Sequence, residues 1–141
     1  MTSIIEIDEN LYSRQIYVLG KEGMKNMVKS DVLLCGLGGL GVEIAKNIVL
    51  AGVKSVSLYD NKVVSMQDLS SQFFLKLENV GENRAVVSKD RLSELNNYVP
   101  INICEDEITE ETITKYSIVV LTDSSLDEQK RINKICHKHD I

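Results

Sequence analysis

The stretch DVLLCGLGGLG, at positions 31–41, constrains the fold of this chain more than any other. A short apolar run leads into glycines at Gly36, Gly38 and Gly41, and a helical pattern follows without a break. The first glycine permits a sharp turn, the second lets a ligand approach the backbone, and the third lets the helix pack closely on the strand. The spacing therefore predicts a strand, a turn and a helix of a parallel α/β sheet.

This turn has two interpretations. The free amides at a helix start can hold an anion, so Gly36, Gly38 and Gly41 are candidate nucleotide-binding residues. The same glycines also suit a turn that only packs and binds nothing. Asp60 ends the second predicted strand 19 residues after Gly41, about where dinucleotide-binding folds place the acid that accepts ribose hydroxyls. Aspartate is also a common turn residue at a strand end, so both roles stay open for Asp60.

The N-terminal 30 residues predict two helices. Asp8 is expected to cap a helix from about Glu9 to Leu19, with an apolar stripe that faces the domain. Gly20 interrupts the pattern, and a second short helix is expected to end near Ser30. We therefore divide the chain into N-terminal helices at 1–30 that pack on the domain, and a partial Rossmann-like domain at 31–141.

Beyond the glycine turn, strands and helices alternate along the chain. Strands are expected at 56–60, 101–103 and 118–121. One helix is expected to follow the glycine turn and end at a cap at Gly52, another to span about 81–97, and two more to start at Thr109 and Ser125. This order predicts an α/β fold, a Rossmann-like, doubly wound and mostly parallel sheet with strand order 3-2-1-4. The fully apolar run at 118–121 predicts a central strand. The pattern stops where another strand is expected, so we expect the sheet to be cut short.

Charge and cysteine content limit the classes of function. The chain has 16 basic and 21 acidic residues, and its net charge of −5 argues against a nucleic-acid or anionic-membrane surface. The longest apolar region is interrupted by Glu43, Lys46 and Asn47, which argues against a membrane span. The three cysteines are unevenly spaced and are interpreted as reduced, buried core thiols.

Arg14 is the candidate functional residue of the first helix. Helical spacing places it between Leu11 at i−3 and Val18 at i+4, away from the stripe that contains Tyr12. An arginine among apolar residues on an outer face suggests an interface. Alternatively, Arg14 is solvated and its aliphatic stem covers its neighbours, and the residues alone favour this second interpretation.

Four segments carry a resemblance to a known family over nearly the whole chain. They are LYSRQIYVLG at 11–20, GLGGLGVEIAKNIVLAGVKSVSLYD at 36–60, DLSSQFFL at 68–75 and NRAVVSKDRLSELNNYVP at 83–100. Together they resemble the first, non-catalytic adenylation repeat of eukaryotic ubiquitin-activating enzymes, which has a ThiF-like fold. The small subunit of the SUMO-activating enzyme is the nearest alternative, although 11–20 and 68–75 look more like the ubiquitin enzyme.

The resemblance implies a multidomain enzyme that uses ATP and Mg²⁺ to adenylate the ubiquitin C-terminus and then forms a thioester with a cysteine of a later domain. None of the three cysteines here matches that residue. The implied partners are the active adenylation repeat of the same enzyme, ubiquitin, and conjugating enzymes that bind through later domains. The implied location is the cytoplasm and nucleus. By itself, this segment is expected to be inactive.

Departures from the active repeat of the family indicate why this segment is expected to be inactive. Where that repeat has a phosphate-binding arginine, this chain has Ser71, and the family's catalytic lysine matches Arg84. A serine hydroxyl cannot neutralise phosphate charge, and losing one such donor commonly costs about 10²-fold to 10³-fold in rate. Asp123 matches the family's metal-binding aspartate, which leaves weak magnesium or nucleotide binding possible. ATP and Mg²⁺ are therefore expected mainly in the partner repeat, and neither is expected to bind tightly here.

The resemblance changes the interpretation of Arg14. In this family an arginine of the N-terminal helix reaches across the pseudo-dimer to the phosphates held by the partner repeat. Arg14 is thus expected to act in trans on the leaving pyrophosphate, as arginine fingers do. Three rival classes remain. One is an active homodimeric adenylyltransferase, which Ser71 argues against, and another is an NAD-dependent dehydrogenase, which rests on the glycine turn and Asp60 alone. The third is an interaction module with no nucleotide near it.

Overall fold

A four-stranded parallel sheet forms the centre of the fold in the computed structural model, which describes residues 7–141. The strands are β1 (Asp31–Cys35), β2 (Ser55–Tyr59), β3 (Ile101–Ile103) and β4 (Ile118–Leu121). The helices are α1 (Ser13–Met27), α2 (Gly39–Ala51), α3 (Arg84–Ser93), α4 (Glu110–Ile113) and α5 (Leu126–Lys138). The strand order β3-β2-β1-β4 confirms the predicted topology.

Side chains of β1 alternate between two apolar cores, one on each face of the sheet. Val32 and Leu34 belong to the core beneath α2 and α3, and Leu33 and Cys35 belong to the core beneath α4 and α5. All four are buried, as expected for a strand covered on both faces. β1 pairs with β2 from Asp31 to Cys35 and with β4 from Val32 to Cys35, so the glycine turn emerges at the middle of the sheet.

The position of β4 differs from the prediction of a central strand. Within residues 7–141 it lies at the edge of the sheet and pairs only with β1. Ile118 is 43% exposed, and the other three residues of β4 are half-buried. An apolar run predicts that a strand is buried, but which strands flank it is decided by pairing partners elsewhere in the sequence.

α1 is broken at Gly20, as predicted, because this residue adopts φ 74° and ψ 165° inside the helix. The boundary was wrong, since α1 begins at Ser13, and Asp8 instead accepts hydrogen bonds from the amides of Asn10 and Leu11 in the preceding turn. Residues 1–6 of the predicted N-terminal segment lie outside the described residues.

The predicted inner stripe of α1 is correct for one residue and wrong for another. Tyr12 is buried, whereas Leu19 is 47% exposed, because the break at Gly20 turns the end of the first helical segment outward. Gln15 packs inward: its amide donates to the carbonyl of Ala51 at 2.7 Å. α1 is thereby fixed to the C-terminal end of α2.

Several local predictions are confirmed. Gly52 ends α2 in the left-handed conformation, and Thr109 and Ser125 cap α4 and α5.

α3 is shorter than expected, and the connection 61–80 contains two short 3₁₀ helices, at Asp68–Ser70 and Leu77–Asn79. All three cysteines are free, and burial raises the pKa of the Cys35 thiol to about 12. No helix of the described chain is long and apolar enough to cross a membrane.

Gly52→Ala is expected to destabilise the fold by roughly 2–4 kcal/mol, because it adds a left-handed backbone strain and a steric clash. A Cβ atom at Gly52 would lie 2.6 Å from the ring of Tyr12. Gly81→Ala is the matched control, since Gly81 also has positive φ but nothing lies within 4 Å of its Cβ position. That variant should lose only about 1 kcal/mol. Urea unfolding measures the free energy of unfolding of both variants. Equal losses of stability would contradict the steric role of Tyr12.

Candidate functional site

A crevice of about 650 Å³ opens at the carboxyl ends of β1, β2 and β4. Open α/β sheets bind ligands at this edge, where the connections leave the strands in opposite directions. The glycine turn forms one wall, and the starts of α4 and α5 form the opposite wall. Six residues define the crevice here: Gly36, Asp60, Arg84, Thr109, Asp123 and Ser125.

Both carboxylate oxygens of Asp60 are already used by the protein. Oδ2 accepts the amide of Leu37 at 2.7 Å and Nε of Arg84 at 2.8 Å, and Oδ1 accepts the amide of Lys62 at 2.9 Å. The residue is buried. Asp60 therefore links the glycine turn to β2 and α3 through three internal hydrogen bonds.

Arg84 lies at the centre of a set of ion pairs that we call the Arg84 cluster. Its guanidinium lies 2.8 Å from Asp60, 3.2 Å from Asp68 and 3.0 Å from Asp123. Arg84 is only 5% exposed and its contact with Asp60 is buried, whereas the side chain of Asp123 is 48% exposed. Lys62 adds a second cation, 2.8 Å from Oδ2 of Asp123. The cluster thus contains three carboxylates and two cations.

A Cβ atom added at any of the three predicted glycines would lie close to other atoms of the protein. A Cβ atom at Gly41 would collide with the carbonyl oxygen of Gly36, and one at Gly36 would collide with the backbone of Thr122. A Cβ at Gly38 would lie 3.6 Å from Nη1 of Arg84, so the side chain that approaches the second glycine is the central arginine of the cluster. Gly36 and Gly41 are therefore required by packing alone.

The start of α2 is also covered by the connection 61–80. The carbonyl oxygen of Ser71 would lie 2.8 Å from a Cβ at Gly39. Gln72, which is fully buried, fixes this contact by donating to the hydroxyl of Ser88 at 2.8 Å. The sequence reasoning assigned no role to Gln72. The sequence contained one indication of this contact, because Ser88 is a small polar residue on the inward face of the predicted third helix.

Asp68 and Asp123 have pKa values below the ordinary 3.8. Burial alone would raise the pKa of Asp68, but hydrogen bonds from Ser65 and Arg84 outweigh burial. At Asp123 the hydrogen bond from Lys62 is the largest cause, followed by that from Arg84. Both carboxyls are therefore ionised at neutral pH and held by cations of the same chain.

The charged groups of the crevice are paired with one another. Arg84 lies beside Gly38, Asp60 accepts three hydrogen bonds from the protein, and Oδ2 of Asp123 is shared by two cations. Among residues 7–141, no group of three or more histidine, cysteine, aspartate or glutamate side chains is arranged to hold a metal ion. We derive no catalytic step from this crevice.

Arg14 lies far along the chain from the crevice residues, on an outer face of the N-terminal segment. This face, which we call the Arg14 face, consists of Leu11, Arg14, Tyr17 and Val18. The three apolar members are 56%, 91% and 78% exposed, respectively. Within residues 7–141 the Arg14 side chain has no hydrogen bond or ion pair. The structure thus leaves a cation among apolar side chains at the surface.

A family model for the ThiF family matches residues 12–141. The chain belongs to the ThiF family. Assignment to this family accounts for the combination of the glycine turn, the 3-2-1-4 sheet and the crevice at its carboxyl edge. It also replaces the alternative of an NAD-dependent dehydrogenase, which rested on the glycine turn and Asp60 alone.

Related sequences refine the family assignment. The chain is 59% identical to ubiquitin-activating enzyme E1 1 of Candida albicans and 52% identical to ubiquitin-like modifier-activating enzyme 1 of Homo sapiens. Each match covers 96% of this chain and 13% of the relative. The resemblance to ubiquitin-activating enzymes is confirmed, and the chain spans 13% of the length of these relatives.

Solved ThiF-like structures confirm the fold. The chain superposes on E. coli tRNA N6-threonylcarbamoyladenosine dehydratase, TcdA, in complex with AMP with a TM-score of 0.78 and 20% identity, covering 99% of this chain and 59% of that one. E. coli MccB with MccA-N7isoASN superposes with a TM-score of 0.75 and 21% identity, covering 92% of this chain and 41% of that one. At this identity the likeness supports a shared fold alone.

The packing role of the turn can be tested by alanine substitution. Gly41→Ala is expected to destabilise the protein by at least about 2 kcal/mol, because its methyl group collides with backbone that cannot move away. Gly38→Ala should cost under about 1 kcal/mol, since its φ of −72° is ordinary and the nearest atom is at contact distance. Urea unfolding compares the two, and a larger loss at position 38 would contradict this assignment.

Acid should weaken the Arg84 cluster. Carboxyls whose pKa is lowered in the folded state stabilise the protein above their ordinary pKa, and this contribution is lost as the pH falls through the folded value. The free energy of unfolding should therefore stay level down to about pH 5 and fall below about pH 4. In Asp123→Asn the decline should be shallower, starting from a stability lower by about 1 kcal/mol or less at pH 7. An unchanged pH profile in that variant would exclude Asp123 as a contributor.

Proposed function

We propose that this chain is the first, non-catalytic adenylation half of a ubiquitin-activating enzyme. It acts as a scaffold for an active adenylation half of the same enzyme and supplies Arg14 to the ATP held there. The observation that carries this proposal is the Arg14 face, which combines an exposed arginine that has no bonding partner within residues 7–141 with three exposed apolar side chains.

Identity to ubiquitin-activating enzymes supports the general role. Matches of 52–59% extend over 96% of the chain, and they include the segments around the N-terminal helix and the glycine turn. The enzyme adenylates the C-terminus of ubiquitin with ATP and passes it to a cysteine as a thioester. This cysteine lies outside the chain, because Cys35 is buried with a raised thiol pKa and the other two cysteines are half-buried.

The contents of the crevice support the non-catalytic assignment. Ser71 stands where the active repeats of the family have a phosphate-binding arginine, and a hydroxyl cannot neutralise phosphate charge. Arg84 stands where they have the catalytic lysine, and here it is held by three carboxylates. ATP and Mg²⁺ are therefore proposed to bind mainly in the partner half.

The physical character of the Arg14 face supports docking to a protein. Arginine and aromatic residues are enriched at the centres of interfaces, and Tyr17 and Val18 are among the most exposed apolar side chains of the chain. Burial of these side chains would also dehydrate Arg14, which strengthens its attraction for a phosphate. The direct partner is the active adenylation half, with ubiquitin and conjugating enzymes bound elsewhere on the enzyme. We place the enzyme in the cytoplasm and nucleus.

Arg14→Ala in the enzyme that contains this chain should lower adenylate formation about 10²-fold to 10³-fold, because one charge that stabilises the reacting phosphates is lost. Ubiquitin-dependent ATP–pyrophosphate exchange measures this step. The melting temperature should stay unchanged, since the Arg14 side chain is exposed and bonds to nothing within residues 7–141.

Arg91→Ala is the matched control for this experiment. Arg91 is also an exposed arginine, on α3, where it pairs with Glu94 at 3.6 Å. Its removal should leave the exchange rate within about twofold of the wild type, since surface pairs of this kind contribute little. Wild-type exchange in Arg14→Ala would show that Arg14 is not an arginine finger.

A further inference from the structure

We infer that Gln15 is a positioning residue that holds Arg14 at the place from which it reaches the phosphates of the partner half. This inference rests on the proposed role of Arg14, and it names the side chain on which that role depends. Arg14 lies in the first segment of α1, residues 13–19, which ends at the break at Gly20.

The first segment of α1 has little apolar contact with the domain. Of residues 13–19, only Gln15 and Ile16 are half-buried, and the others are exposed. A helix this short is not stable in water by itself, so contacts with other elements must order it. The break at Gly20 separates it from the second segment of α1, in which Met24 is fully buried. The order of the first segment therefore depends on a few side-chain contacts.

The amide of Gln15 provides the most direct of these contacts. Its Nε2 donates to the carbonyl oxygen of Ala51 at 2.7 Å, and it lies 3.4 Å from the sulfur of Met24 and 3.2 Å from that of Met27. Ala51 is in the last turn of α2, where carbonyls have no partner within the helix and need a donor from elsewhere. One amide thus joins both segments of α1 to the end of α2.

Tyr12, directly before the first segment, provides a second anchor at the same place. Its hydroxyl accepts a hydrogen bond from the amide of Asn96 at 2.8 Å. The same amide donates to the carbonyl of Val49 at 3.0 Å, again in the last turn of α2. Tyr12 and Gln15 therefore fix the chain on either side of Arg14, whose side chain stays exposed.

The place of the Arg14 backbone matters because an arginine finger acts only from the correct position. Successive residues of a helix point about 100° apart, so Gln15 faces the domain while Arg14 faces outward. A displacement of about 1 Å can cost about 10²-fold in rate. Loss of the Gln15 anchor should therefore slow the step that Arg14 serves without a direct effect on ubiquitin binding.

Gln15→Met in the full-length enzyme tests this inference. Methionine has a similar size and packs against Met24 and Met27, but it cannot donate to the carbonyl of Ala51. The kcat of ubiquitin-dependent ATP–pyrophosphate exchange should fall about tenfold, with the KM for ubiquitin unchanged. Amides of residues 16–19 should exchange with deuterium about tenfold faster than in the wild type, because the segment opens more often.

The same substitution in an Arg14→Ala background separates positioning from a general loss of structure. There Gln15→Met should change kcat by less than about twofold, because the residue that it positions is already absent. A merely structural role would lower kcat by the same factor in both backgrounds.

Gln129→Met is the matched control. Gln129 lies on α5 and also donates its amide to a main-chain carbonyl, that of Ser124 at 3.0 Å. Its substitution removes the same kind of bond far along the chain from Arg14. Both kcat and the deuterium exchange of residues 16–19 should stay at their wild-type values.

Tyr12→Phe is a second variant, which keeps the ring against Gly52 and removes only the hydroxyl. It should lower kcat about threefold, a smaller loss than in Gln15→Met, since Asn96 keeps its bond to Val49. This variant decides the inference if Gln15→Met does not fold, and wild-type kcat in it would then overturn the anchor.

Two results with folded Gln15→Met would overturn the inference. One is wild-type kcat, and the other is an equal loss of kcat with and without Arg14. Failure of the proposed function is distinguishable from both, because it would appear as wild-type pyrophosphate exchange in Arg14→Ala alone. Failure of this inference alone would leave Arg14→Ala impaired and Gln15→Met normal.

Discussion

The close contact between the start of α2 and the turn after β1 is the constraint on which the rest of the structure depends. Gly41 has no room for a side chain against the carbonyl of Gly36, and Gly36 has none against Thr122. This approach brings α2 onto β1, which in turn buries Ala45 and Val49 in the larger core. It also joins the carboxyl ends of β1 and β4, where the crevice opens.

The Arg84 cluster then joins the ends of several elements at the carboxyl edge of the sheet. It links β2, β4, α3 and the connection 61–80 through one guanidinium. Buried ion pairs rarely add much stability over an apolar packing, because desolvation offsets most of the attraction. Their consequence is geometric: each carboxylate must stay where the guanidinium can reach it. In this protein the geometry holds four charged side chains together beside the crevice.

The outer surface and the crevice therefore point to different activities. The crevice holds its charges in internal pairs, whereas the Arg14 face presents a charge and apolar area to solvent. Asp60 and Arg14 were both candidates from the sequence, and the structure separates them: Asp60 is buried and accepts three internal hydrogen bonds, whereas Arg14 is exposed.

The sequence by itself determined the fold class, the strand order, the break at Gly20 and the caps at Gly52, Thr109 and Ser125. These features follow from local rules, because hydrophobic period, glycine conformation and capping side chains act within a few residues. The resemblance of the four segments also identified the family, and it marked Ser71 and Arg84 as departures from the active repeat.

Only the tertiary structure decided which charges meet. Asp60, Asp68, Arg84 and Asp123 are widely separated in the sequence, and nothing local indicates that one guanidinium contacts all three carboxylates. The outward turn of Leu19 was missed for the same reason, since it depends on what packs beside the helix. Long-range contacts are set by how the elements pack, and a pattern of residue types records only which surfaces need to be buried.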